Sequence, residues 1–118
     1  MTIVHRLAVV ARECRGDLTN GEDVCLAARR AVVVGGLTVV ADATFAYVPH
    51  GLSIALLLAQ SHLVISTWPG HRTATVDLAV CADRDVTEVV WHELARYLEP
   101  ASTEGCLHTR LISRRAQR

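Results

Sequence analysis

The segment Thr73–Cys81 alternates between apolar and polar or small residues, and this pattern restricts the fold more than any other stretch. Successive side chains of a β-strand point to opposite faces, so the alternation predicts a strand with one buried face. The apolar members of that face are Ala74, Val76, Leu78 and Val80. Such a strand needs neighbouring strands for its backbone and a second layer to cover its apolar side.

Five further segments have the composition of strands, because they are rich in valine, leucine or isoleucine and are bounded by turn-forming residues. Those segments are residues 3–11, 37–45, 52–59, 62–68 and 106–112. Gln60 and Ser61 are predicted to join two of them. Residues 69–72 are predicted to form a turn, since they contain proline and glycine.

The first of two amphipathic segments follows Asn20, which is predicted to be its N-cap. Asp23, three residues later, is predicted to complete a weak capping box. Its end is predicted at Gly35, the first of two successive glycines. One apolar stripe runs along it at helical spacing. The stripe consists of Val24, Cys25, Ala28, Ala31 and Val32.

The second amphipathic segment is predicted to be capped by Asp85, with Glu88 at the capping-box position. Pro100 follows its end, where a helix cannot continue. Its inner side is predicted to consist of Val86, Val90, Trp91, Leu94 and Leu98.

The predicted order is therefore strand, helix, four strands, helix, strand. This order predicts an α/β (α+β) fold, a two-layer sandwich in which a mainly antiparallel sheet carries two helices on one face. A chain of 118 residues is predicted to form one domain, residues 1–118, around one hydrophobic core. The other sheet face must then be wet or meet a partner, since its strands also carry apolar residues.

Composition excludes several classes of protein. Acidic and basic residues balance at twelve each, so the net charge favours neither nucleic acid nor an anionic surface as a partner. The longest apolar run, residues 54–59, is far shorter than the about 20 residues of a membrane span. No signal peptide is evident, so a cytoplasmic location is expected. The four cysteines have no C-x-x-C spacing, so neither a metal site nor a disulfide framework is expected.

Two stretches carry chemically distinctive residues at fixed spacing: Q-S-H-L-V-I-S-T-W-P-G at 60–70 and A-T-V-D-L-A-V-C-A-D at 74–83. They resemble the cleavage and active-site segment of the short prokaryotic, pyruvoyl-dependent S-adenosylmethionine decarboxylases. That family reads roughly E-S-H-[IL]-S-I-H-T-W-P-E and then A-A-V-D-[IV]-F-T-C-G-D. The similarity is ungapped, contains rare residue types and extends more weakly over residues 7–83.

The resemblance implies that the chain cleaves itself between Gln60 and Ser61, which converts Ser61 into a pyruvoyl group. It implies that Cys81, twenty positions after Ser61, donates a proton during turnover. It also implies that Ser53 assists processing by hydrogen bonding.

Two aromatic residues are assigned to substrate binding. Tyr47 falls where the family has an aromatic residue that stacks on the adenine ring, although a turn aromatic that covers the core edge would look the same. Trp68 is the second assignment, and its side chain is also expected to pack into the core. The resemblance further implies a homodimer of processed protomers.

All twelve basic side chains are arginine, and the chain has no lysine. Decarboxylation of an amino acid leaves a carbanion, and pyridoxal enzymes hold the electron sink for it on a lysine. If this chain decarboxylates an amine substrate, it must carry another carbonyl, and a pyruvoyl group made from its own serine would serve.

Three positions depart from the family pattern: Gln60 replaces a glutamate, Ser66 the processing histidine, and Gly70 the carboxylate that holds the ribose hydroxyls. Serine is a poor base at neutral pH, and general-base help is worth about 10²–10⁴ in rate. Processing could therefore be slow rather than absent. His62, His71 or His50 could supply the missing imidazole from another position, and His71 is the better candidate.

Two alternatives remain open at the level of sequence. The substrate could be ornithine, arginine or another amino acid rather than S-adenosylmethionine, with Asp42, Asp77 and Glu13 as the acidic candidates for binding a cation. The chain could also be an unprocessed, non-catalytic homologue that binds a ligand or an active partner subunit.

Overall fold

Six antiparallel strands form one sheet in the structure, a computed structural model that describes residues 2–113, with side chains described for residues 3–105. In space the strands follow the order β2-β3-β4-β5-β1-β6. In the chain the elements are β1 (Thr2–Arg12), α1 (Gly21–Val34), β2 (Val39–Ala46), β3 (Leu52–Leu58), β4 (Ser61–Trp68), β5 (Thr73–Cys81), α2 (Thr87–Leu98) and β6 (Ser102–Ser113). The predicted element order and the predicted fold class are both confirmed.

The core lies between the helices and one face of the sheet. Along β3, β4 and β5 every second side chain is buried, as alternation requires. One row, which we call the leucine row, crosses four strands with its members directly opposite one another: Leu56, Leu63, Leu78 and Leu7. Each of these leucines is at most 1% exposed. Burying a leucine side chain contributes about 1.5–3 kcal/mol, so this row is a substantial part of what holds the sheet under the helices.

Helix α1 begins and ends where the sequence predicts. The Asn20 side chain accepts a hydrogen bond from the Asp23 N–H at 3.1 Å, which satisfies one of the helix's free donors. Gly35 caps the other end, and Gly36 adopts a positive φ of 79°. Cys25, predicted in the buried stripe, is only half-buried, and Ala27 is buried instead.

The predicted start of α2 is wrong. The helix begins at Thr87, and its N-cap residue, Val86, makes no capping hydrogen bond with its own side chain. The Asp85 carboxylate instead accepts hydrogen bonds from the Thr87 N–H at 2.9 Å and the Thr87 hydroxyl at 2.6 Å. Asp85 therefore closes a turn of two residues onto Thr87, the first residue of the helix. The predicted inner side is otherwise confirmed.

Two strand boundaries differ from the prediction in ways that matter for the site. Ser61 lies inside β4 rather than in the turn, because residues 59 and 60 alone close the hairpin between β3 and β4. The last strand begins at Ser102, earlier than the predicted residues 106–112.

Candidate active site

Ser61 lies at the first position of β4, directly after the hairpin turn. Gln60, which precedes it, adopts a left-handed φ of 60° that is uncommon for a residue with a Cβ and costs free energy. Ser61 pairs with Val80 across the sheet, and the N–H of Cys81 donates a hydrogen bond to the Ser61 hydroxyl at 3.3 Å. The structure therefore brings together the two residues that the motif predicts as cleavage serine and proton donor.

The side chains of Ser61 and Cys81 belong to opposite faces of the sheet. Ser61 shares its face with Leu63, which is buried under the helices. Cys81 follows the buried Val80 and therefore lies on the other face of the sheet, which the helices do not cover and which we call the open face. The contact between the two residues runs through the Cys81 backbone and not through its thiol. Cys81 is half-buried at the end of its strand.

Cys14 is a different kind of cysteine. It is 2% exposed, its thiol donates to the Ala11 carbonyl at 3.6 Å, and burial raises the pKa of this thiol. A buried thiol with a raised pKa is inert, so Cys14 does not compete with Cys81 for a role as proton donor.

Three hydroxyl groups meet at the other end of β4, and we call Tyr47, Ser53 and Ser66 the hydroxyl cluster. Ser53 and Ser66 are directly opposite each other in β3 and β4, and their oxygens are 2.5 Å apart. The Tyr47 hydroxyl is hydrogen-bonded to the Ser53 hydroxyl, and all three side chains are half-buried. Ser53 and Ser66, both predicted to act in processing, are thus bonded to each other, and Tyr47, predicted only to bind substrate, is bonded to Ser53.

An aromatic row lies beside the hydroxyl cluster on the open face, formed by Phe45, Tyr47 and Trp68. The ring centroids of Phe45 and Tyr47 are 6.2 Å apart, and those of Tyr47 and Trp68 are 6.4 Å apart. The prediction that Trp68 packs into the core is wrong, since its side chain is 39% exposed. Thr67 takes the buried position on β4, so the next residue falls on the open face. Sequence reasoning missed Phe45, although its position two residues before Tyr47 on a predicted strand was a usable signal.

The Ser61 end and the hydroxyl cluster do not meet within one chain. Ser61 and Ser66 are five residues apart on a strand whose pairing with both neighbours is unbroken. At about 3.3 Å per residue, roughly 16 Å separates them. The predicted site residues therefore form two groups at opposite ends of β4.

A family model described as S-adenosylmethionine decarboxylase matches residues 6–111. The chain belongs to the S-adenosylmethionine decarboxylase family.

Individual members of the family align over different lengths of the chain. The S-adenosylmethionine decarboxylase proenzyme of Aquifex aeolicus is 33% identical over 109 residues, which are 92% of this chain and 81% of that one. The proenzyme of a Hydrogenobaculum species is 42% identical over 62 residues, but the alignment spans only 46% of that relative's length. The crystal structure of the Aquifex aeolicus adenosylmethionine decarboxylase superposes with a TM-score of 0.77 at 24% identity, covering 98% of this chain and 97% of that one. This structural match confirms the fold.

Two of the three acidic residues considered for a cationic substrate already have cationic partners. Asp77 accepts two hydrogen bonds from Arg6, at 3.2 and 3.0 Å, and these bonds together with the carboxylate charge raise the pKa of the Arg6 guanidinium. Asp42 pairs with Arg29. Glu13 is exposed and has a left-handed φ of 52°.

The position of the family's ribose carboxylate lies in open space. Gly70 is exposed in a single 3₁₀ turn, Pro69–His71, and a Cβ at this position would meet nothing within 4 Å. His71, the candidate source of an imidazole, lies in the same turn and lines an open depression of about 360 Å³ with Arg12, Trp68 and Thr73. His71 is thus near the aromatic row, at the opposite end of β4 from Ser61.

Two further findings bear on the kinds of site available. Within the described part of the chain, no three His, Cys, Asp or Glu side chains gather closely enough to hold a metal ion. Over the same residues, neither helix has the length and apolar composition needed to cross a membrane.

Gly51 is required at the aromatic row, and its replacement provides a test of this geometry. Its φ is 106°, and a Cβ there would lie 2.7 Å from the Thr67 carbonyl oxygen and 3.1 Å from the Tyr47 ring. We expect Gly51→Ala to lower the free energy of unfolding in urea by about 1–3 kcal/mol, because backbone strain adds to the clash. Gly70→Ala is the matched control, with an expected change within about 0.5 kcal/mol. Equal stability of the two variants would contradict the described backbone at Gly51.

Proposed function

We propose that this chain is a proenzyme that cuts its own backbone between Gln60 and Ser61 and then decarboxylates S-adenosylmethionine, in the cytoplasm, as a step of polyamine (spermidine) synthesis. The observation that carries the proposal is the hydrogen bond from the Cys81 N–H to the Ser61 hydroxyl. This hydrogen bond holds the Ser61 hydroxyl, the predicted nucleophile, at the first position of β4, directly after the strained Gln60 residue. The free thiols of Cys14, Cys25 and Cys81 suit a reducing compartment.

The self-cleavage requires only groups of this chain and water. The Ser61 hydroxyl attacks the Gln60 carbonyl carbon, and the peptide nitrogen leaves, which gives an ester. Removal of the Ser61 Cα proton then forms a double bond between Cα and Cβ while Gln60 departs as a carboxylate. Water hydrolyses the resulting dehydroalanine and releases ammonia, leaving a pyruvoyl group. The left-handed φ of Gln60 supports this site, because breaking the bond after it releases the backbone strain.

A pyruvoyl group supplies a carbonyl that accepts a substrate amine and takes up the electrons released when carbon dioxide departs. The residues around Ser61 fit such a group, because the Cys81 N–H is a donor within reach of the Ser61 side chain. Cys81 would return a proton to the substrate carbon, since thiols exchange protons readily near neutral pH. Its half-exposed position on the open face is compatible with access to a substrate.

We also propose that the working unit is a homodimer in which two open faces pack together. In one chain the hydroxyl cluster is roughly 16 Å along β4 from Ser61, too far for contact. A two-fold axis perpendicular to the strands places the cluster end of one copy over the Cys81 end of the other. Apolar side chains on the open face, including Val64 and the 52%-exposed Leu57, support such packing.

S-adenosylmethionine is favoured as substrate by the aromatic row. Exposed aromatic faces suit the flat adenine ring and also attract a sulfonium cation. A basic amino acid has less support, since Asp42 and Asp77 are already paired with arginines. The unprocessed, non-catalytic alternative rests on Ser66 in place of the family histidine, and it predicts a chain that stays intact.

Cleavage itself can be observed by intact mass. We expect purified protein to separate under denaturing conditions into residues 1–60 and 61–118, because Ser61 directly follows the strained Gln60 residue whose carbonyl its hydroxyl would attack. Ser61→Ala should remain a single chain, and Ser102→Ala, at the start of β6, should cleave like the natural protein. A natural chain that stays intact through prolonged incubation would rule out the proposed mechanism.

A shared site can be tested by complementation between two defective chains. Ser53→Ala should cleave far more slowly alone, and Ser61→Ala should not cleave at all. When the two variants are co-expressed with different tags, the Ser53→Ala chain should regain cleavage, because its own Ser61 meets an intact hydroxyl cluster on the other copy. Recovery is measured by mass of the tagged Ser53→Ala chain, and no recovery in a purified mixed dimer would exclude the shared site.

The space at Gly70 permits a test of substrate choice. A carboxylate there would accept hydrogen bonds from ribose hydroxyls, and hydrogen bonds to charged groups are worth about 1.5–3 kcal/mol. Gly70→Glu should therefore lower KM for S-adenosylmethionine by about tenfold or more, with a smaller gain for Gly70→Gln. The measurement is carbon dioxide release from S-adenosylmethionine, ornithine and arginine in parallel. A gain confined to ornithine or arginine would indicate a basic amino acid as substrate.

A further inference from the structure

The hydroxyl cluster contains a titratable group at the end of a hydrogen-bonded path that begins at position 66. Ser66 occupies the place of the family's processing histidine, and serine does not titrate in a useful range. Its hydroxyl lies 2.5 Å from that of Ser53, and Ser53 is hydrogen-bonded to the Tyr47 hydroxyl. A phenol, unlike a serine, becomes a proton acceptor when it ionises in alkaline solution.

We propose that Tyr47 supplies, through Ser53 and Ser66, the proton acceptor that the missing histidine would provide. This inference rests on the proposed self-cleavage and on the proposed homodimer. Tyr47 acts through the two serines and is therefore a positioning residue for the step, whereas Ser66 is the group that would face the reacting serine of the other copy in that homodimer.

The step that the path serves is the elimination that breaks the ester. The Cα proton of Ser61 passes to the Ser66 oxygen, the Ser66 proton passes to Ser53, and the Ser53 proton passes to the ionised Tyr47 oxygen. The electrons of the Cα–H bond form the Cα–Cβ double bond, and the Cβ–O bond breaks with Gln60 leaving as a carboxylate. Tyr47 ends the step as a neutral phenol and returns its proton to solvent, which its half-exposed position allows.

Three cationic or titratable side chains lie near the hydroxyl cluster. His50 lines the same depression as Tyr47, and Arg12 and His71 line the neighbouring one beside Trp68. Arg12 is itself paired with Glu104, at 2.8 Å.

The test compares first-order cleavage rates of freshly made precursor between pH 6.5 and pH 9 by intact mass. We expect Tyr47→Phe to slow cleavage about 10²-fold and to remove most of the rise of the natural rate with pH. Ser66→His should cleave without need of Tyr47, so that Tyr47→Phe/Ser66→His matches Ser66→His. Tyr97→Phe is the matched control, because Tyr97 donates to the Asp17 carbonyl far from the cluster.

The outcomes separate this inference from the proposed function. Natural-rate cleavage by Tyr47→Phe, or an equal slowing by Tyr47→Phe in both backgrounds, would overturn the role of Tyr47 and leave the cleavage site standing. A natural chain that stays intact while Ser66→His cleaves would also overturn it. If both stay intact, the proposed function fails as well.

A second measurement covers the case in which Tyr47→Phe does not fold. The chain has two tyrosines, so Tyr97→Phe leaves Tyr47 as the single site for 3-fluorotyrosine. Fluorination lowers the pKa of a phenol while preserving its shape and its hydrogen bonds. The rise in cleavage rate should then move to lower pH, and an unchanged pH profile would overturn the inference.

Discussion

The unbroken pairing of β4 with β3 and β5 is the constraint on which the rest of the site depends. No bulge interrupts either ladder, so each residue from Ser61 to Thr67 has one partner on each side and lies on one face of the sheet. A slip of one residue would move Leu63 out of the core and Ser66 into it, because side chains alternate with a period of two. The leucine row therefore fixes the position of the hydroxyl cluster as firmly as it fixes the core.

The alternating pattern of Thr73–Cys81 was sufficient to predict the sheet and its buried face, because burial in a strand follows parity. Trp68 shows where composition misleads: tryptophan is expected inside, but the parity of β4 gives the buried place to Thr67. Asp85 shows the limit of capping motifs, since a short acidic side chain can close a turn as well as cap a helix. Which side chains meet across strands, as Tyr47 and Ser53 do, depends on a register that a single sequence does not reveal.

The departures from the family pattern at Ser66 and Gly70 are compatible with membership of the family, because each changes only local contacts. The paired serines at 53 and 66 retain a hydrogen-bonding path where the family has a serine and a histidine. Gly70, where the resemblance implies a carboxylate, lies in open space, so the residue at this position does not affect the packing of the fold. Both changes are local, and neither touches the leucine row or the helix packing that position the strands.

The strand order has a consequence for the two halves that the proposed cleavage would produce. The piece before Ser61 contributes β1, β2 and β3, and the piece after Gln60 contributes β4, β5 and β6. In the sheet, β1 lies between β5 and β6, while β3 is bonded to β4. The severed pieces are thus interleaved, and neither can depart without dismantling the hydrogen-bond ladders of the other. Maturation would sever the polypeptide while leaving the architecture joined.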